Sequence, residues 1–314
     1  MSETSKKTGT KANKSVAGIP QPQETYGAGY LYHYYPQYQE FAQRLAQVGG
    51  EVDIYEVLGI QFNADPDSLI RFAEELAKPI TLHSFEYCLG NIDLPPKDVF
   101  DRIQLLANNC NSVYIGEHLA IMGTSDQYIG GFLQPLGTDE QTKLMVGNLK
   151  KIKKISSCPL LIENASQFYR QHGGVSLGRQ LREVSEAADV GILLSLSNIS
   201  ISDNFQPQDR EAFLSELPFE RVRQLHVFCG NTDEEQMPGM EKARMEHEWS
   251  YKMMHELAKD PAMRPSSVIF ELETGTPSLP AAEKLRDYMN EARALFFSDK
   301  SQATVLAGEN NAAS

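Results

Sequence analysis

Pro159–Asn198 reads PLLIENASQFYRQHGGVSLGRQLREVSEAADVGILLSLSN, and a whole strand–helix–strand unit is legible in it. Pro159–Ile162 is a short, mostly apolar run that ends at Glu163. Leu177–Ala188 reads as a helix, and Val190–Leu194 is a second apolar run that closes on hydroxyls, at Ser195 and Ser197. A carboxylate leaving a buried strand is costly unless a cation or metal stands beside it, so Glu163 already points to chemistry.

The same alternation extends in both directions. Upstream, the expected strands are Tyr26–Tyr32, Val52–Val57, Pro79–His83 and Ser112–Gly116. The helices between them are Tyr38–Val48, Asp67–Ala77, Pro95–Asn108 and, after a long loop through Pro135, Thr138–Ile155. Downstream come the helix Asp209–Leu217, the strand Val222–Phe228 and a polar, methionine-bearing insertion Cys229–Glu248. The helix Trp249–Leu257, the strand Val268–Glu271 and a closing helix Lys284–Phe297 follow. Eight units make a (β/α)₈ TIM barrel, and 314 residues exceed the roughly 250 that such a barrel takes. A doubly wound open sheet would want a glycine-rich phosphate turn after its first strand, and GAGY at Gly27–Tyr30 is too short for one. The barrel is expected over residues 25–298, between disordered tails at 1–24 and 299–314.

The formal net charge is −13, from 42 acidic and 29 basic residues, which disfavours phosphate backbones and argues against a nucleic-acid partner. No apolar run is long enough to span a membrane, and no apolar secretory signal opens the chain. Cys88, Cys110, Cys158 and Cys229 lie far apart with no CxxC pair, a spacing that fits a reducing cytoplasm.

Seven of the eight expected strands end in a residue able to bind a metal or move a proton: His33, Glu56, His83, Glu117 with His118, Glu163, His226 and Glu271. In a TIM barrel such ends converge on one mouth, where the chemistry is done. Imidazoles and carboxylates without thiolate suit Fe(II), Mn(II), Co(II) or Zn(II), whereas calcium or magnesium cages would not need three histidines. Asn164, Asn198 and Ser195 are then candidates to orient ligands or to line a substrate pocket. His33 among tyrosines reads as packing or pocket wall, His172 as a loop residue, and His255 as a helix surface or packing residue. The insertion with Met237, Met240 and Met245 reads as a lid, a peptide-binding surface or a mobile loop.

These motifs resemble the multinuclear non-heme iron-dependent oxidative enzymes, TIM barrels that modify residues of ribosomally made peptides, usually with a partner protein presenting the peptide. The resemblance runs from about Gly27 to Glu273. It lies in GAGYLYH, TLHSFEYCLG, GEHLA, LIENASQFY, LHVFCG and FELE. It implies metal ligands at His83, Glu117, Glu163, His226, His247 and Glu271, with Glu273 beside the last, and catalytic roles for Glu163, His226 and His118. Departures stand at Leu58, where the family has a histidine, and at Ser195 and Ser197, where it has Asp and Asn. A further departure is at Met245–His247, where its Asp-x-His appears as Met-Glu-His. The implied complement is therefore one or two non-heme irons, with manganese or zinc compatible with the same donors. The implied reaction is dioxygen-dependent oxidation of a peptide side chain (cysteine or a carboxylate residue) or of a related small molecule, in natural-product maturation. Two alternatives remain at this point. A divalent-metal sugar isomerase or epimerase of the xylose-isomerase type shares the barrel, although no lysine stands at a strand end. A noncatalytic barrel acting as a binding partner is the other.

Overall fold

The structure, a computed structural model, describes residues 24–123, 127–169, 174–205, 210–230, 241–272 and 279–298. In chain order its elements are β1 (Gly27–Tyr32), α1 (Pro36–Gln47), β2 (Ile54–Leu58), α2 (Ser68–Leu76), β3 (Ile80–Ser84), α3 (Lys97–Asn109) and β4 (Ile115–Leu119). A hairpin of β5 (Ile121–Gly123) and β6 (Tyr128–Leu133) follows, then α4 (Asp139–Lys153), β7 (Leu160–Asn164), α5 (Leu177–Ala188) and β8 (Gly191–Ser195). The chain continues through α6 (Leu196–Phe205), α7 (Arg210–Ser215), β9 (Val222–Cys229), α8 (Glu241–Leu257), β10 (Ser267–Leu272) and α9 (Leu279–Ala292). Strands β1, β2, β3, β4, β7, β8, β9 and β10 close into one barrel, every neighbour parallel and β10 returning to β1. The expected (β/α)₈ fold is the observed one.

Alternate residues of a strand face opposite sides, so each barrel strand serves two cores. Tyr55 and Val57 of β2, Leu225 and Val227 of β9, and Val268 and Phe270 of β10 pack with the helices. The intervening residues fill the barrel, where Leu31, Ile54 and Ile269 form one cluster and Tyr114, Leu161 and Leu193 another. Two residues beyond Ile54 on β2 the filling is Glu56, beside His226 of β9, with the buried pair Gln224 and Ser267 below them. Apart from that pair the floor of the barrel is apolar, and its C-terminal end carries charge.

The glycines of GAGY serve barrel closure. A Cβ on Gly29 would stand 1.6 Å from the Ile54 carbonyl oxygen on β2. Gly27, at φ +103°, leaves room for the Asp53 carboxylate, which accepts from Ala28 N (3.0 Å) and Arg293 Nε (2.7 Å). That last bond ties the C-terminal helical turn to the foot of the barrel.

Three expectations need correction. The long loop before Pro135 contains the β5–β6 hairpin. The polar insertion after Cys229 contributes residues from Glu241 to helix α8, so His247 lies on a helix. A helix, α6, begins directly after Ser195, where none was expected. The expected tails, His172, Met237, Met240 and Glu273 lie outside the described residues, except that Glu24 accepts a hydrogen bond from the Tyr26 hydroxyl (2.9 Å).

Candidate metal centre

Six strands aim histidine or glutamate into the polar end of the barrel. From β3, His83 Nε2 meets Glu163 Oε2 of β7 at 2.8 Å, and from β4 His118 Nε2 meets the same oxygen at 3.2 Å. From β9, His226 Nε2 lies 3.0 Å from Glu56 Oε1 and 3.1 Å from Oε2 of β2. Its other nitrogen is 3.4 Å from Glu271 Oε1 and 3.7 Å from Glu163 Oε1. His83, His118, Glu163, His226 and Glu56 are all buried; only Glu271, with 23% of its side chain exposed, reaches solvent.

Two sets of three residues result, Glu56–His83–His226 and His83–His118–Glu163, and in each a ligand atom from every member lies within 4.8 Å of the others. His83 belongs to both. The donor set is mixed imidazole and carboxylate, which suits a borderline divalent ion. His118 Nδ1 is buried without a hydrogen-bond partner among the described residues, which leaves a donor atom free. The residues present therefore fit a first-row divalent metal.

The electrostatics follow from burying imidazoles against carboxylates. Burial pulls His83 down, but the Glu163 carboxylate outweighs it and holds the imidazole at about 9. Burial likewise opposes charge on His226, yet Glu56 and Glu271 hold it well above the usual imidazole range. Burial dominates at His118 and pushes it down to about 4. The Glu56 and Glu163 carboxyls, which burial would raise, are held below the ordinary carboxylate value by the neighbouring imidazoles.

A second ring of side chains fixes the acids. Asn198 Nδ2 donates to Glu163 Oε1 (2.8 Å), while its Oδ1 accepts from Ser166 Oγ (2.6 Å) and its backbone N–H donates to Ser195 Oγ (3.1 Å). Glu56 Oε2 accepts from Thr81 Oγ1 (3.2 Å) and from Gln224 Nε2. Outer-shell partners of this kind typically set metal affinity by about 10–100-fold. Asn198→Ala is expected to weaken metal binding by about that factor without unfolding the protein, as equilibrium titration of the metal-free form would read.

The structure redistributes the expected ligands. His83, Glu163 and His226 converge as expected, and Glu271 stands at the edge of the group. Glu117 does not join them. Its neighbours Ile115 and Leu119 pack with the helices, and Glu117 faces the same way. There its oxygens accept from Tyr87 N (2.9 Å) and His118 N (3.1 Å), and burial pushes its carboxyl up to about 8. Glu117→Ala is therefore expected to leave bound metal unchanged and to destabilise the protein by about 1–3 kcal/mol for each orphaned N–H, measurable by denaturant titration. His118, expected as a catalytic residue, stands among the candidate ligands instead. His247 is buried on α8 against the Phe228 ring (centroids 5.1 Å apart) and joins neither set. Asn164 turns outward and clasps β8, donating to Ser195 O (2.9 Å) and accepting from Ser195 N (2.8 Å). Leu58 packs in the barrel interior with Leu31, Ile54 and Ile269.

Glu56 and Gln224 were not singled out as site residues. Glu56 was visible only as one strand end among seven, and Gln224 carried no signal. Phenylalanines roof the histidines: Phe85 stacks on His83 (4.7 Å) and His118 (5.1 Å), and Phe132 of β6 on His118 (4.4 Å). Outside the centre, His33 Nδ1 lies 3.3 Å from Gln61 Nε2, and His255 pairs with Glu291 at 3.2 Å. Among the described residues no helix is long and apolar enough to cross a membrane.

Known proteins resemble this chain to different depths. A UPF0276 protein of Rhizorhabdus wittichii is 25% identical over 195 residues, spanning 61% of this chain and 69% of its own. A UPF0276 protein of an Anaeromyxobacter species is 25% identical over 198 residues, 62% of this chain and 69% of its own. A solved D-allulose 3-epimerase from a Methylomonas species superposes at a TM-score of 0.54 with 9% identity, covering 87% of this chain and all (100%) of that one. A D-psicose 3-epimerase solved in the presence of D-fructose gives 0.51 at 13% identity, with 87% and 100% covered. At such identities the likeness is one of fold. The family model for RiPP precursor modification enzyme MbnB/TglH/ChrH matches residues 35–296, almost the whole barrel, and this chain belongs to that family.

Proposed function

We propose that the chain is a non-heme iron-dependent oxidative enzyme that modifies a cysteine or carboxylate side chain of a ribosomally made peptide, with dioxygen as oxidant. The observation that carries this reading is the pair of buried His/Glu sets sharing His83, in a chain of a peptide-modifying family. Glu56, His83 and His226 would hold one ion, and His118 and Glu163 the ligands of a second or alternative position. Bound iron supplies one-electron chemistry with dioxygen that no amino-acid side chain here provides.

The chain's own residues do the rest. Phe85 and Phe132 cover the imidazoles and keep water from them. Asn198 and Gln224 hold the two buried carboxylates in place. Glu271, the partly exposed acid, meets the incoming side chain and takes its proton at a carboxylate oxygen. Glu163 and His226 stay fixed beneath it.

The test is elemental mass spectrometry of protein purified anaerobically from iron-supplemented cells, followed by oxygen uptake with cysteine-bearing peptides. One or two irons per chain and peptide-dependent uptake support the reading. Manganese, magnesium or cobalt, with turnover of free sugars, would replace it by an epimerase. A metal-free barrel without turnover would replace it by a binding role.

A further inference from the structure

We propose that the outer edge of β6 receives the peptide substrate as an added strand and carries it across the mouth beside Phe132. The inference rests on the peptide-modifying reading above.

Strand β6 belongs to a two-stranded sheet, and among the described residues its backbone pairs only with β5. The far side of β5 is taken, because Met122 N donates to Asn91 Oδ1 (2.9 Å) and Gly90 N to Ala120 O (2.8 Å). Among the described residues the outer edge of β6 is the one left open. Proteins usually blunt an open edge with lysine, proline or an inward charge. This one is not blunted. In a chain of net charge −13, the stretch Leu119–Gly137 holds a single charged residue, Asp126, and β6 itself (YIGGFL) has no charge and no proline.

The side chains on this strand favour a ligand as well. Ile129 and Leu133, two residues to either side of Gly131, are 50% and 41% exposed, and the pairing with β5 shifts register across this stretch. Gly131 lies between them, and a Cβ built there would meet nothing within 4 Å. Among the described residues no atom requires that glycine. Glycine inside a strand weakens it, and one of its usual reasons is the close approach of another backbone. Phe132 stacks on His118 at 4.4 Å and lies 6.2 Å from Phe168. The open edge is therefore continuous with the roof of the metal centre.

A strand added here would present alternate side chains to the mouth and to the Ile129–Leu133 face. Main-chain hydrogen bonds would supply affinity with little demand on sequence, and the apolar face would favour aliphatic residues at every second position. The fitting ligand is an extended, locally uncharged peptide segment whose reacting residue faces Phe132.

The test uses metal-loaded, oxygen-free protein and a displayed library of random linear peptides with one central cysteine. Enriched peptides are synthesised plain and with backbone N-methyl groups on one or the other alternate set of residues. We expect the plain peptide to bind one per chain and to slow amide exchange at 128–133. N-methylation of one set should weaken binding by about tenfold or more, the loss of a main-chain hydrogen bond or two, while the other set has little effect. The Ile129→Lys/Leu133→Lys variant should lose the same binding and keep its metal content. Absence of enrichment over that variant, or protection confined to other segments, would overturn the proposal. So would a doubled molecular mass with protected 128–133 amides in the absence of peptide, which would assign the edge to a second copy of the chain. Binding needs no turnover, so the two readings fail separately. A peptide bound along β6 yet unmodified in oxygen counts against the oxidative function alone, and a modified peptide that leaves these amides unprotected counts against the edge alone.

Discussion

Replacing His83 by alanine is expected to strip the metal from the purified protein while the far-ultraviolet circular dichroism stays that of the native barrel. His83 is the only residue common to both candidate sets, and its ring lies 5.0 Å from His118 and 5.8 Å from His226. Loss of a ligand should cost more than the roughly 10–100-fold expected for an orienting residue such as Asn198. Glu56→Gln and Glu163→Gln each disturb one set and leave the other complete, so each should retain more metal than His83→Ala. Elemental mass spectrometry per chain orders the three. The metal-free proteins give a second readout, because His83 also partners a buried carboxylate at 2.8 Å. Breaking a buried pair costs about 3–5 kcal/mol, so chelated His83→Ala should melt well below chelated wild type. A His83→Ala protein that binds as much metal as wild type would remove His83 from the centre and the centre from this part of the barrel.

The fold was legible because it is written locally. Short apolar runs alternate with helical patterns, and each strand end can be placed within a residue or two from its own neighbourhood. The site was legible only to the level of strand ends. Glu117 and His118 show why: in a strand buried on both faces, no polar–apolar alternation tells which of two consecutive polar residues enters the barrel. A one-residue difference exchanges the two faces, and here it makes His118 the interior residue and Glu117 an acceptor for backbone N–H groups. Glu56 was hidden for another reason. Its partners Thr81, Gln224 and His226 come from strands 25, 168 and 170 residues away, and only barrel closure assembles them. Gly123–Gln127 and the paired glycines of β6 are turn residues by composition, so the sequence predicts a loop where the β5–β6 hairpin stands. Strand ends alone place the chemistry at His83, Glu163 and His226; the resemblance to a known family adds His247, which the structure sets on α8 apart from both sets.

Gly29→Ala is expected to be among the most destabilising single substitutions in this chain. The added methyl would stand 1.6 Å from the Ile54 carbonyl oxygen, 2.7 Å from its carbon and 3.3 Å from Ile54 Cγ2. The obstacle is backbone, so no side-chain rotation relieves it. Strand β1 also closes the barrel, with Gly29 in register with Ile54 on one side and Ile269 on the other, so moving it away from β2 presses it into β10. Overpacking against movable side chains costs about 1–3 kcal/mol, and a backbone clash should exceed that range. Against a total stability of about 5–15 kcal/mol, a loss of about 3 kcal/mol or more should lower the melting temperature by about 6–12 °C. Gly131→Ala is the contrasting substitution: its methyl meets nothing within 4 Å, and replacing a strand glycine by alanine there should be neutral or stabilising by up to about 1 kcal/mol. If Gly29→Ala melted like wild type, β1 and β2 would have to slide apart far enough to admit a methyl group. Glu56 lies two residues beyond Ile54 on β2, and the same slide would carry its carboxylate away from His226, now 3.0 Å distant. The metal content of the folded variant therefore reads the same strand contact as its melting temperature, and the two should fall together.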